Sequence, residues 1–212
     1  MQKKTEHILG VFTKYPISGQ VKTRLIQVIG AQKALEIHEE LVRRTLTLVL
    51  KWQRLHSSDC MLFFDGSDAQ RTQIWLQGLL KHSLTFSLRQ QVQGDLGAKM
   101  AEAFQEMFAQ GYKKAVLIGT DCPLLTPEIL MQAFERLSRS EAVFGPALDG
   151  GYYLVGLNRP ERRIFQHITW SSSTTLQQSL QRCREIGLSY RLLKGLPDVD
   201  RPEDLQYLTF LP

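Results

Sequence analysis

Cysteine is scarce in this 212-residue chain: Cys60, Cys122 and Cys183 stand far apart and form no CxxC pair. So sparse and odd a set excludes a disulfide framework or zinc ribbon and points to a reducing, cytoplasmic setting. Long apolar runs are missing too. No stretch approaches the roughly 18 apolar residues of a membrane helix, so no membrane span is expected. The polar Met1–His7 stretch is followed by no signal-peptide pattern. There is no low-complexity linker and no internal repeat, so residues 1–212 are expected to form a single domain. The net charge of +5 suits an anionic ligand, but there is no Lys/Arg block with interleaved aromatics, which argues against nucleic acid. The missing GxxxxGK[ST], HExxH and GxSxG patterns disfavour a P-loop ATPase, a zinc peptidase and an α/β-hydrolase.

What is present is an alternation of short apolar runs with helical periodicity. Ile8–Thr13, Cys60–Phe64, Leu84–Gln91 and Ala115–Gly119 read as strands. Between them, Leu35, His38, Leu41, Val42, Leu46, Val49 and Trp52 give one apolar helix face, in a helix from about Thr23 to Trp52 broken near Gly30. Ala69–Leu79 and the run from Leu96 to Phe108 read as further helices, and another starts at Thr126-Pro127. This rhythm makes the chain α/β with a largely parallel sheet. Ala142–Pro146 and Tyr152–Leu157 are too close for a helical crossover, so one strand there is expected to run antiparallel.

Four segments fall at strand ends, the edge where open α/β sheets bind ligands. The first, Phe12 to Leu25, is a strand, then a loop with Gly, Pro and three cations, then a helix. Backbone N–H groups and the helix dipole would face an anion there, and Lys14, Lys22 and Arg24 would add charge-assisted contacts. In the second, a strand runs straight into Asp121, a carboxylate suited to a hard cation such as magnesium, or to opening a turn before Pro123. The third, Asp149-Gly150-Gly151-Tyr152, makes a turn and lets backbone approach a ligand closely. The fourth places four acids within residues 198–204, ahead of a short helix at Pro202. They could favour that helix's start or supply a second metal carboxylate. Asp95 and the serines after Trp170 suit capping, and His38 suits packing.

Together these segments resemble the bacterial arsenosugar-biosynthesis-type or radical-SAM/selenodomain-associated glycosyltransferases. Those belong to the GT-A, nucleotide-diphospho-sugar transferase superfamily. The family pattern K-x-P-x-x-G-x-V-K-T-R-L is matched from Lys14 to Leu25, G-D-L-G-x-[RK]-M from Gly94 to Met100, and G-[ST]-D-x-P-x-L from Gly119 to Leu125. G-P-x-x-D-G-G-Y-x-L-x-G is matched from Gly145 to Gly156, F-x-x-I-x-W-S-[ST] from Phe165 to Ser172, and D-V-D-T-P-E-D-L from Asp198 to Leu205. Position 99 is Lys where the family more often has Arg, and position 201 is Arg where it has Thr.

The resemblance implies a three-layer GT-A fold, a mainly parallel mixed sheet with helices on both faces. It implies that Lys14, Gly19, Lys22, Arg24 and Lys99 hold nucleotide phosphates, with Gly94 and Asp95 near base or ribose. Asp121 and Asp200 would bind Mg²⁺ or Mn²⁺, although Arg201 is a poor N-cap and could draw Asp200 into capping. Asp149, with Asp121, would be catalytic, and Gly150, Gly151, Tyr152, Trp170 and Ser171 would face the acceptor. The expected activity is a metal-dependent transfer from a nucleotide sugar to a small-molecule acceptor. The alternative is nucleotidyl transfer from a nucleoside triphosphate with release of pyrophosphate, and a third reading is nucleotide binding without catalysis.

Overall fold

The computed structural model describes residues 5–56, 58–81 and 86–208. Its centre is a seven-stranded sheet. The strands are β1 (His7–Lys14), β2 (Asp59–Asp65), β3 (Ser87–Gln90), β4 (Lys114–Ile118), β5 (Ala142–Pro146), β6 (Tyr152–Leu157) and β7 (Tyr190–Leu192). Their spatial order is β3-β2-β1-β4-β6-β5-β7. The β1/β2, β1/β4, β2/β3 and β5/β7 pairs are parallel. β6 runs antiparallel to both β4 and β5, so it is the reversed strand that the short β5–β6 spacing requires. Residue 84, the expected start of the third strand, lies outside the described residues.

Helices cover both faces, as period-2 burial demands. Leu9, Val11, Leu62, Phe64, Val116 and Ile118 point to one face. There they meet α1 (Thr23–His56), α2 (Ala69–Leu80) and α4 (Pro127–Arg136) through Val42, Leu46, Leu76, Leu130 and Phe134. Ile8, Met61, Phe63, Ala115, Leu117 and Phe144 point to the other. There they pack on α3 (Leu96–Ala109) and α5 (Thr175–Glu185) through Met100, Phe104, Met107 and Cys183. The break expected in α1 falls at Gly30, whose φ of 78° and ψ of 161° leave the helical region, so its Thr23 end is a short segment of its own. Among the described residues no helix is long and apolar enough to cross a membrane.

This topology delivers the chain to one edge repeatedly. The parallel strands β1, β2, β4, β5 and β7 end there, and the reversed β6 begins there. The segments after Lys14, Asp65, Ile118 and Pro146, and the run from Leu193 to Asp200, therefore crowd together although far apart in sequence.

Candidate functional site

The loop after β1 turns on Gly19 (φ 80°) and Lys22 (φ 48°). A left-handed lysine costs roughly 1–2 kcal/mol, so something must hold it there. Lys22 points inward, its side chain only 4% exposed. Its ammonium donates to Asp121 Oδ1 at 2.6 Å and to the Val199 carbonyl at 2.6 Å. The Val199 amide in turn donates to the Asp121 carbonyl at 2.8 Å. Three loops, from β1, β4 and β7, are thus tied at one point by charge-assisted bonds. Lys22, expected to face phosphate, is engaged inside the protein in this structure, and two exposed cations of the same loop, Lys14 and Arg24, lie at its surface.

Acids gather beside that knot. Asp121 keeps 48% of its side chain exposed. Asp149, Asp198, Asp200 and Asp204 line an adjoining cleft of about 300 Å³ with Arg201 and Tyr207. Burial, then the negative charge of Asp149, then that of Asp121, push the Asp198 carboxyl up to about 6. Burial and neighbouring like charge both disfavour the ionised form of this carboxyl. Asp200 neither caps the Pro202–Leu208 3₁₀ helix nor stands free: it accepts from Arg24 Nη1 at 2.6 Å. Capping falls to Asp204, which accepts from the backbone amides of Arg201 (2.7 Å) and Asp200 (3.1 Å).

Among the described residues no three His, Cys, Asp or Glu side chains form a ready cage for a metal ion. A magnesium-type ion does not need one, because it is commonly held by one or two carboxylates plus substrate phosphates. The exposed carboxylate of Asp121, beside this acid-lined cleft, fits such an ion, and Asp198 lines the cleft as Asp200 does. The sequence motif points to Asp200 and gives Asp198 no role. The only signal for Asp198 is membership of the acid run, which does not tell one carboxylate from its neighbour.

Across the sheet, Lys99 on the first turns of α3 donates to Asp65 Oδ2 at 2.6 Å. That bond holds the Asp65 carboxyl below the usual carboxylate range. Asp95 caps α3 by accepting from the Ala98 amide at 2.8 Å, after Gly94 at φ 133°. These residues lie at the β2 and α3 end of the edge, beside Lys14, which pairs in register with Asp65. The β3–β2–β1 side thus carries Gly94, Asp95 and Lys99, and the β4–β7 side carries Asp121, Asp149 and Asp200.

The residues expected to face the acceptor divide. Asp149 lines the cleft while its Oδ1 accepts from the Gly151 amide at 2.8 Å. Gly150 has φ 91°, and a Cβ there would overlap the Ser173 carbonyl group. Its close approach is thus to the chain's own backbone. Tyr152 packs edge-on against Phe144 and Trp170, and its phenol, raised by burial, lies 3.9 Å from Met100 Sδ. Trp170 lies over Gly97, where an added Cβ would meet its ring at 2.7 Å. Ser171 is left-handed at φ 59°. This group braces the site loop against α3 and α5. Cys122 and His38 are packed: burial pushes the thiol up to about 12, and His38 Nε2 lies 3.0 Å from the Lys14 carbonyl oxygen.

Residues 47–172 match the family model described as "uncharacterized protein conserved in bacteria (DUF2064)". No curated protein matches the sequence. Among solved structures, the chain is similar to a candidate nucleotide-diphospho-sugar transferase from Desulfovibrio desulfuricans. Sequence identity is 31%, 96% of this chain and 86% of the other are covered, and the TM-score is 0.83. The fold is shared with a CMP:2-keto-3-deoxy-manno-octonic acid synthetase complexed with CTP, at 10% identity, 97% coverage of each chain and TM-score 0.57. It is also shared with Rv0371c of Mycobacterium tuberculosis in complex with manganese, at 16% identity, 97% and 98% coverage and TM-score 0.57. The superfamily expected from the motifs is supported by the first of these likenesses, and the other two show the shared fold. None of them singles out the arsenosugar-associated branch.

Proposed function

We propose that this chain, which belongs to the DUF2064 family, is a cytoplasmic, nucleotide-utilising transferase, and specifically a glycosyltransferase acting on a small-molecule acceptor. One observation carries the reading: Lys22 fastens the cationic β1 loop to Asp121 and to the 198–200 segment, so cations and carboxylates share one sheet edge. The likeness to a candidate nucleotide-diphospho-sugar transferase supports it.

In this reading Arg24 binds the donor diphosphate, and the Gly94–Asp95 turn and Lys99 lie towards base and ribose. Lys22 keeps Asp121 and residues 198–200 in register. Mg²⁺ or Mn²⁺ held by Asp121 together with Asp200 or Asp198 would supply positive charge against the phosphates. Asp149 takes the proton of the acceptor hydroxyl as its oxygen bonds to the sugar carbon. The bond from that carbon to the phosphate oxygen breaks, and its electron pair leaves with the nucleoside diphosphate. Arg24 meets the charge that grows on that oxygen.

Nucleotidyl transfer is the second reading, favoured by Lys14. Exposed and, among the described residues, in no ion pair, Lys14 would serve the longer polyphosphate of a nucleoside triphosphate. Phosphorus NMR of reaction mixtures separates the two. Nucleoside diphosphate accumulating from a nucleotide sugar supports glycosyl transfer, and pyrophosphate from a triphosphate supports nucleotidyl transfer. Absence of both across the four common bases, with either metal, contradicts the transferase reading.

A further inference from the structure

Arg201 has no place in the chemistry above, yet its position is well defined. Its backbone amide is fixed by Asp204 Oδ2 at 2.7 Å, so the side chain leaves from a pinned point. It is exposed, and among the described residues it makes no ion pair. It lines the acidic cleft, with Asp149, Asp198 and Asp204. It also lines a second, adjoining cavity of about 500 Å³ between the first turns of α1 and residues 201–203, with Thr23, Arg24, Gln27, Val28 and Glu203. Arg201 and Glu203 are common to both, so the two spaces form one bent cleft.

Its two lobes differ in charge. The first carries four aspartates, Asp149, Asp198, Asp200 and Asp204. The second carries Arg201, the Arg24 guanidinium already paired with Asp200, and the donors of Thr23 and Gln27 against the single acid Glu203. A molecule with a hydroxyl at one end and an oxyanion at the other can lie in this cleft in one sense only. Its anion is repelled from Asp149 and Asp204 and drawn to Arg201, the one guanidinium lining both lobes that the donor reading leaves unassigned. Its hydroxyl then reaches towards Asp149. The planar fork of arginine suits the bidentate recognition of a phosphate or carboxylate.

We propose that Arg201 determines acceptor specificity, and that the acceptor is a small hydroxylated molecule bearing an oxyanion, a phosphate or a carboxylate. The proposal rests on the transferase reading, because it assigns the acceptor's half of that same site.

The test is calorimetric titration of the full chain, saturated with metal and a nucleoside diphosphate, with glycerol 3-phosphate, glycerate and glycerol as probes. Either anion should bind and glycerol should not, and the anion preferred tells phosphate from carboxylate. Arg201→Thr, which places a better cap before Pro202, should fold as the parent does. It should weaken the anion by about tenfold or more, whereas Arg201→Lys, keeping charge without the fork, should lose only about threefold. Nucleoside diphosphate affinity should stay within about twofold in both variants, since Arg201 is assigned to the acceptor. Glycerol binding as well as the anions, anion binding unchanged in Arg201→Thr, or equal losses of anion and nucleotide would each overturn the proposal. If no nucleotide binds the parent, the transferase reading fails. Titration without nucleotide then decides separately whether Arg201 holds an anion.

Discussion

Lys22 Nζ lies 2.6 Å from Asp121 Oδ1 and 2.6 Å from the Val199 carbonyl oxygen, so a residue of the β1 loop is the internal counter-charge of the carboxylate at the end of β4. The bond to Val199 spans 177 positions of the chain, so it ties the first loop to the last. Removing the ammonium should leave a carbonyl without its donor and release the 198–200 segment. Lys22→Met should therefore cost about 2 kcal/mol in urea unfolding. In amide exchange, Val199 should lose protection more than the β4 interior does.

Arg24 and Asp200 form a pair of the opposite kind. Their side chains are 45% and 34% exposed at 2.6 Å, a setting in which ion pairs contribute about 0–1 kcal/mol. Arg24→Gln should consequently unfold within about 1 kcal/mol of the parent. The same change should weaken nucleoside diphosphate binding about tenfold, because a charge-assisted phosphate contact is lost. A stability loss as large as that of Lys22→Met would contradict the division into one structural and one ligand-facing cation.

Asp198 gives a signed pH prediction. Its carboxyl is raised to about 6, chiefly by burial and Asp149, so the folded chain holds its proton more tightly than the unfolded chain does. The penalty of charging it is therefore full above about pH 6, and it fades as pH falls from there through the unfolded value of roughly 4. Asp198→Asn should melt above the parent at pH 7.5, and the gain should shrink to nothing by about pH 4. Thermal melts of both proteins across that range check it. A constant difference would mean that the variant acts through packing instead.

Gly150 tests the bracing of the site loop. Its φ is 91°, and the Ser173 carbonyl group occupies the place where a Cβ would be. Both obstacles are backbone, so Gly150→Ala should destabilise by about 2 kcal/mol or more. In denaturant unfolding, Gly187→Ala should cost less. That residue is also left-handed (φ 67°), but it has nothing within 4 Å of the added carbon.

Much of this architecture is written locally. Ile8, Leu9 and Val11 form an apolar run that serves both faces of the sheet, which marks β1 as a buried parallel strand, and Gly30 announces the break in α1. The short β5–β6 spacing betrays the antiparallel strand. The identities of Lys22, Asp121 and Asp200 are legible as chemistry, but their partners are not. Nothing in the order of residues says that Lys22 turns inward to Val199 while Arg24, two positions on, reaches Asp200. The glycine pair before Tyr152 is legible as a close approach, but what approaches is Ser173 of the chain itself. Asp198 is lost among its acidic neighbours because its distinction, burial beside Asp149, exists only after folding.

The most direct measurement is calorimetric titration of the chain with nucleoside di- and triphosphates of the four common bases, with and without Mn²⁺, on the parent and on Asp121→Asn. The account predicts that at least one nucleotide binds the parent, that Mn²⁺ strengthens it by about tenfold or more, and that Asp121→Asn abolishes the strengthening. No nucleotide binding with either form, or an Mn²⁺ effect that survives loss of the Asp121 carboxylate, would contradict it.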